Sequence, residues 1–210
     1  MRASRSSGLS ALSAALFILA FPPASAAERC ETMNLTVTAS FPNDPGFEGL
    51  YRYALGGNWE VWPRALSHFD VFLMFNDCPD ICGPGVVVFG DTAGISTGST
   101  VDEAPCYPVF YLGEYLCEGD PSLPEEFQAS TVKFEPWEGQ SCEPGTVGVG
   151  SWRFYSPLPP GPATTHVDAA LIKHGQYVCT GDVTGQLPGC SVETSRESWG
   201  MIKARYGEIR

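Results

Sequence analysis

Eight cysteines (Cys30, Cys78, Cys82, Cys106, Cys117, Cys142, Cys179 and Cys190) lie in a chain of 210 residues, and none falls in its first 29. Ahead of them sit Arg2 and Arg5, an apolar run from Leu9 to Phe21, and the small-residue stretch Ala24-Ser25-Ala26-Ala27. A basic start, a short apolar core and an Ala-x-Ala site have the form of a cleavable secretory signal over residues 1–26. An even cysteine count behind such a leader reads as up to four disulfides formed in an oxidising compartment. Zinc is the competing use of cysteine. No two of the eight have Cys-x-x-Cys spacing, the closest pair being Cys78 and Cys82, so bridging is the better reading. The expected location is secreted or extracytoplasmic. Eight cysteines allow 105 connectivities, so spacing alone does not assign the bridges.

After residue 26 no apolar segment is long enough to cross a bilayer as a helix, and no membrane span is expected. Removing Arg2 and Arg5 takes the formal net charge from −12 to −14. A surface this acidic offers little to neutralise phosphates, which argues against nucleic acid and anionic membrane as partners. An extracellular protein or a glycan is the partner class left open.

Met33, Leu35, Val37, Ala39 and Phe41 alternate with Asn34, Thr36, Thr38 and Ser40, the period of a half-buried strand. Further strands are expected at Leu50–Leu55, Asn58–Trp62, Leu66–Phe75, Val86–Phe89, Val109–Leu116, Ser130–Phe134, Ser151–Tyr155, Val167–Ile172 and Gln176–Cys179. Turns rich in Pro and Gly separate them. Short alternating strands with almost no helical period predict an all-β, disulfide-stapled antiparallel β-sandwich over residues 27–193.

Two echoes suggest related halves. Gly113–Asp120 matches Gly175–Asp182 at five of eight positions, and Cys82-Gly83-Pro84-Gly85 is echoed by Cys142-Glu143-Pro144-Gly145 at a similar offset. A duplication would pair Cys82 with Cys117 and Cys142 with Cys179. The tail, residues 194–210, differs in kind. Trp199, Ile202, Tyr206 and Ile209 share a helical face, Thr194 and Glu197 have capping-box spacing, and Arg196, Lys203, Arg205 and Arg210 make it locally basic. A short C-terminal amphipathic helix or tail is expected there, docking on the acidic body or on a partner.

Candidate chemistry is sparse. Ser67-His68-Phe69-Asp70 and Thr165-His166-Val167-Asp168 both read Ser/Thr-His-apolar-Asp at the opening of a strand. Residues two apart share a strand face, so each His lies beside its Asp, as a general base or a metal ligand requires. If the two strands were neighbours, His68, Asp70, His166 and Asp168 could converge on one divalent ion. The plainer reading is of polar groups that face solvent. No nucleophile elbow, His-Glu-x-x-His, phosphate loop or EF-hand is present, no catalytic residue is nominated, and an enzyme is the weaker reading. No organic cofactor is implied; a divalent metal is the one cofactor the His-x-Asp segments would suit. Trp62 and Trp137 stand beside acids near turns and could serve as platforms for sugar rings, whereas Trp59 and Trp152 fit strand cores. The favoured function is a secreted structural or binding module. A carbohydrate-binding module and a hydrolase or metal site on the two His-x-Asp strands are its alternatives.

Leu66-Ser67-His68-Phe69-Asp70, closing a strand that leads to Cys78, resembles the Leu-Ser-His strand of uncharacterised secreted β-sandwich proteins of environmental bacteria. Trp199-Gly200-Met201-Ile202-Lys203 with Tyr206 is similar to the Trp-Gly-x-x-Lys tail that ends some of them. The resemblance implies a bacterial extracellular or envelope setting and brings no activity with it.

Overall fold

The computed structural model describes residues 33–62, 64–73, 82–98, 104–161, 164–175 and 177–189, with the side chains of 126 and 164–169 excepted. The leader, the C-terminal tail, Cys30, Cys78 and Cys190 lie outside the described residues.

Among the described residues nine strands form: β1 (Asn34–Ser40), β2 (Tyr51–Glu60), β3 (His68–Phe72), β4 (Gly94–Gly98), β5 (Cys106–Leu116), β6 (Thr131–Pro136), β7 (Val147–Ser156), β8 (Thr164–His174) and β9 (Tyr177–Gly185). They pair in the order β1-β2-β7-β4-β5-β6-β3-β8-β9 and close on themselves. Closure corrects the expected sandwich of two related halves to a single barrel. Alternation marks one buried face per strand, which a sandwich and a barrel share; the contact that separates them is β1 on β9, parallel, from Asn34↔Asp182 to Val37↔Gly185. Every other pairing is antiparallel.

Strand boundaries moved for local reasons. Leu50–Leu55 and Asn58–Trp62 merge into β2, because Gly56 and Gly57 continue in register with Ser151 and Gly150 of β7. Val86–Phe89 contributes only an isolated bridge, Val88 to Tyr155. The unforeseen β4 is Gly94-Ile95-Ser96-Thr97-Gly98, whose glycines mask a strand pattern. Gly94 faces Trp152, and a Cβ there would overlap the indole. Gly148 makes the same allowance for Trp59.

The barrel is filled, not hollow. Trp59, Trp152, Tyr53, Tyr111, Phe69, Phe134 and Phe154 are all but fully buried. Phe69 stacks on Phe134 with ring centroids 5.0 Å apart and meets Trp152 edge-on at 4.8 Å. Of the polar tips inside, those of Tyr111 and Trp59 find partners, whereas Trp152 Nε1 is buried with no hydrogen-bond partner among the described residues. Tyr111 and Ser96 hydroxyls pair at 3.1 Å, and Trp59 Nε1 donates to the Gly145 carbonyl at 3.3 Å.

Two bridges are seen whole, Cys82–Cys117 and Cys106–Cys142, and Cys179 is also disulfide-bonded. The first agrees with the pairing that a duplication would require. The second excludes Cys142–Cys179. The echoed segments also occupy unlike places, since Cys117 follows β5 in a loop whereas Cys179 lies within β9.

Candidate metal centre

β3 supplies two of the three central residues. Phe69 and Val71 are fully buried and Phe69 packs into the barrel, so the pleat turns His68 and Asp70 to the outer wall. Such positions ordinarily meet water, yet His68 is 4% exposed and Asp70 0%. The connection between β5 and β6, residues 117–130, covers them and brings in Asp120, itself 1% exposed. Lys133 of β6 and Leu171 of β8 flank Asp70 in register, and Lys173 of β8 flanks His68.

The covering loop is fastened at several points. Cys117 is bridged to Cys82 and its carbonyl accepts from the Ser130 hydroxyl at 2.9 Å. Gly119 takes a positive φ of 90°, and a Cβ there would press on the backbone at Gln128 and Ala129. Asp120 Oδ1 accepts from the Ser122 N–H at 2.7 Å, an Asx turn, while the Asp120 carbonyl accepts from Gln128 Nε2 at 2.8 Å. Lys173 Nζ ties the loop to β8 by donating to the Ser122 carbonyl at 3.1 Å. The Asx turn fixes Asp120 by one oxygen and leaves Oδ2 aimed at the wall.

Three groups meet at one nitrogen. His68 Nε2 lies 3.2 Å from Asp120 Oδ2, 3.5 Å from Asp70 Oδ2 and 3.5 Å from Ser122 Oγ. Lys133 Nζ stands 3.2 Å from Asp120 Oδ2 and 3.3 Å from Glu135 Oε2. Both Asp70 oxygens are buried without a hydrogen-bond partner among the described residues. Burial, and then the neighbouring Asp120, pushes the Asp70 carboxyl up to about 8. Burial, and then Lys133, pushes the His68 imidazole down to about 4. Burial alone would raise Asp120, but the Ser122 donors and Lys133 outweigh it and hold that carboxyl below its ordinary value. For Lys133 the loss of solvent is outweighed by Asp120 and Glu135, which hold the ammonium above its ordinary range. At neutral pH His68 is therefore neutral with a lone pair to give, Asp70 carries a removable proton, and Asp120 is ionised.

One ligand atom from each of His68, Asp70 and Asp120 lies within 4.8 Å of the other two, so the cluster can coordinate a divalent metal. Zinc–nitrogen and zinc–oxygen bonds of about 2.0–2.2 Å place neighbouring ligand atoms roughly 3.0–3.5 Å apart. The two Nε2–Oδ2 separations fall at that spacing. A Ser-His-Asp triad would instead need the hydroxyl and the carboxylate on opposite ring nitrogens; here Ser122 and both acids crowd the same one.

The chain matches no protein-family model, no curated protein and no solved structure. Local chemistry therefore carries the functional reading.

Of the residues singled out from sequence, His68 and Asp70 are brought together. Their counterparts lie on the neighbouring strand, as convergence would need, but out of step. Leu171 faces Asp70, so Asp168 and His166 fall three and five positions farther along β8, with a register shift between His166 and Ala170. Five positions is roughly 16 Å of strand. The side chains of His166 and Asp168 lie outside the described residues. Trp59 and Trp152 are core, as expected, whereas Trp62 is 79% exposed and Trp137 39%, the latter beside Phe110 with centroids 5.4 Å apart. Asp120 and Lys133 were not foreseen. Asp120-Pro121-Ser122 reads as a turn in sequence, and nothing local says that the turn folds back over β3.

Proposed function

We propose that the protein is a secreted β-barrel that binds one divalent transition-metal ion through His68 Nε2 and the carboxylates of Asp70 and Asp120, and that the ion pins the β5–β6 loop to the barrel wall. The observation that carries this reading is Asp70, fully buried with neither oxygen hydrogen-bonded among the described residues, beside a neutral imidazole. A buried carboxyl without partners costs folding energy, and a cation supplies the partner it lacks. One nitrogen and two carboxylates suit zinc, manganese or iron(II) better than calcium, which takes six to eight oxygens. The three ligand groups are at most 4% exposed, which favours a structural ion over one open to substrate. Secretion is supported by the leader-like start and by the oxidised cysteines.

Titration of chelator-treated protein with zinc and manganese, followed by calorimetry and thermal melting, tests the proposal. One ion per chain and a higher melting temperature are expected, and both should vanish in Asp120→Asn. Failure of both metals to bind and stabilise the wild-type protein would overturn it.

The exposed Trp62 favours a second reading, an aromatic sugar platform separate from the metal centre. A glycan array probed with wild-type protein and Trp62→Ala should show signal lost in the variant; an array without hits removes this reading.

A further inference from the structure

The ammonium of Lys133 occupies the same side of Asp120 that an ion would use. It lies 3.2 Å from Asp120 Oδ2, the oxygen nearest His68 Nε2, and has a second acceptor 3.3 Å away in Glu135 Oε2. Lys133 and Glu135 are two apart on β6 and so share its outer face. Lys133 is 12% exposed at its side chain, whereas Glu135 is 53% exposed and able to follow it.

We infer that Lys133 is a built-in competitor of the metal: its ammonium and the ion are alternative partners for Asp120 Oδ2, and Glu135 receives the ammonium when the ion binds. This rests on the metal reading above and adds to it a residue that sets affinity. A carboxylate oxygen shared by a divalent ion and an ammonium holds like charges a few ångströms apart in a poorly solvated site, so one partner must withdraw. The flexible four-carbon stem of lysine lets it do so without moving the backbone. Glu135 makes the withdrawal cheap, because the charge passes from one carboxylate to another and is never stranded. Competition of this kind gives the site a threshold, excluding weakly held cations while admitting one that binds all three ligands.

The opposite role is also physically sensible. A lysine held on a ligand carboxylate can orient it, as outer partners of metal ligands commonly do. The two roles predict opposite signs.

Zinc and manganese affinities of chelator-treated wild-type protein, Lys133→Met and Glu135→Gln are to be measured by competition with a chromogenic chelator, with thermal melts of each variant to show that it folds. Competition predicts binding about tenfold tighter in Lys133→Met, the worth of one charge-assisted contact no longer displaced. It predicts binding about threefold weaker in Glu135→Gln, where the ammonium has lost its second acceptor. Unchanged or weaker binding in Lys133→Met, with the wild-type protein still binding metal, overturns the inference and leaves the metal centre standing. Absence of binding in every form overturns both. Should Lys133→Met not fold, a Glu135→Gln affinity equal to or tighter than wild type overturns the inference by itself.

Discussion

Asp70→Asn gives the sharpest test, because its effect should change sign with metal. In chelator at pH 7, folded wild-type protein holds a protonated Asp70, whose carboxyl is pushed up to about 8, while the unfolded chain ionises near the ordinary 3.8. Each pH unit between those limits costs the fold about 1.4 kcal/mol, so the roughly three units from 3.8 to 7 amount to about 4 kcal/mol as an upper bound. Asparagine keeps the shape and carries no such cost, so chelated Asp70→Asn should be the more stable protein. His68 has the opposite sign. Its folded value near 4 lies below its ordinary 6.5, so the folded state binds fewer protons and stability rises with pH across that interval. Wild-type protein should therefore show little net slope from about pH 4 to 6.5, then lose about 2 kcal/mol from 6.5 to 8 as Asp70 alone titrates. In Asp70→Asn that loss should be absent. Urea unfolding in chelator at pH 5, 6.5 and 8 measures these terms, and repetition in excess zinc should return the advantage to wild type. Equal stability of the two proteins in chelator at pH 7, or an identical decline of both above pH 6.5, would refute the argument from an orphaned carboxyl.

Other expectations follow from the packing. Replacing both Cys82 and Cys117 by Ser should destabilise the protein by about 3–4 kcal/mol, from a closed loop of 35 residues, and weaken metal binding, because Asp120 stands three residues beyond Cys117; denaturant unfolding and metal titration measure the two effects. Gly148→Ala forces a Cβ into Trp59 and should cost about 1–3 kcal/mol, visible as a lower urea midpoint with quenched or shifted tryptophan fluorescence. Tyr111→Phe leaves the Ser96 hydroxyl without its partner inside the barrel and should cost about 1 kcal/mol by the same assay, with Ser96→Ala added to it restoring part of the loss.

The two levels of the structure were unequally legible. Alternation in Leu35 and Val37 identifies a strand with one buried face, and the same period places His68 beside Asp70. Barrel closure is invisible to such reasoning because it depends on β1 meeting β9, with Thr36 and Thr184 hydroxyls in contact across 148 residues. β4 is hard to read in sequence because its glycines serve their neighbours, Gly94 making room for the Trp152 indole and Gly98 for the Glu143 carbonyl. At the site, period two correctly put His68 and Asp70 on the outer face, but outward was equated with solvated. The covering loop breaks that equation through contacts distant in sequence, among them Lys173 to Ser122 and Cys82 to Cys117. Connectivity of the cysteines was ambiguous for the same reason: Cys106 opens β5 and Cys142 lies in the β6–β7 connection, so the bridge between them depends on β4 standing between β5 and β7.

The parallel contact between β1 and β9 is also the pairing that spans most chain, Asn34 and Asp182 being 182 − 34 = 148 residues apart. Hairpins such as β8–β9, which turn at Gly175, can form from neighbouring chain, whereas the seam must wait for a strand beginning at Tyr177 to reach one beginning at Asn34. Until it does, both strands present open hydrogen-bonding edges, the state in which β-proteins recruit one another. Slow final closure and a concentration-dependent yield on refolding are the kinetic signature of such a seam. A chain that lost β9 would keep eight strands and two edges, a sheet built to polymerise.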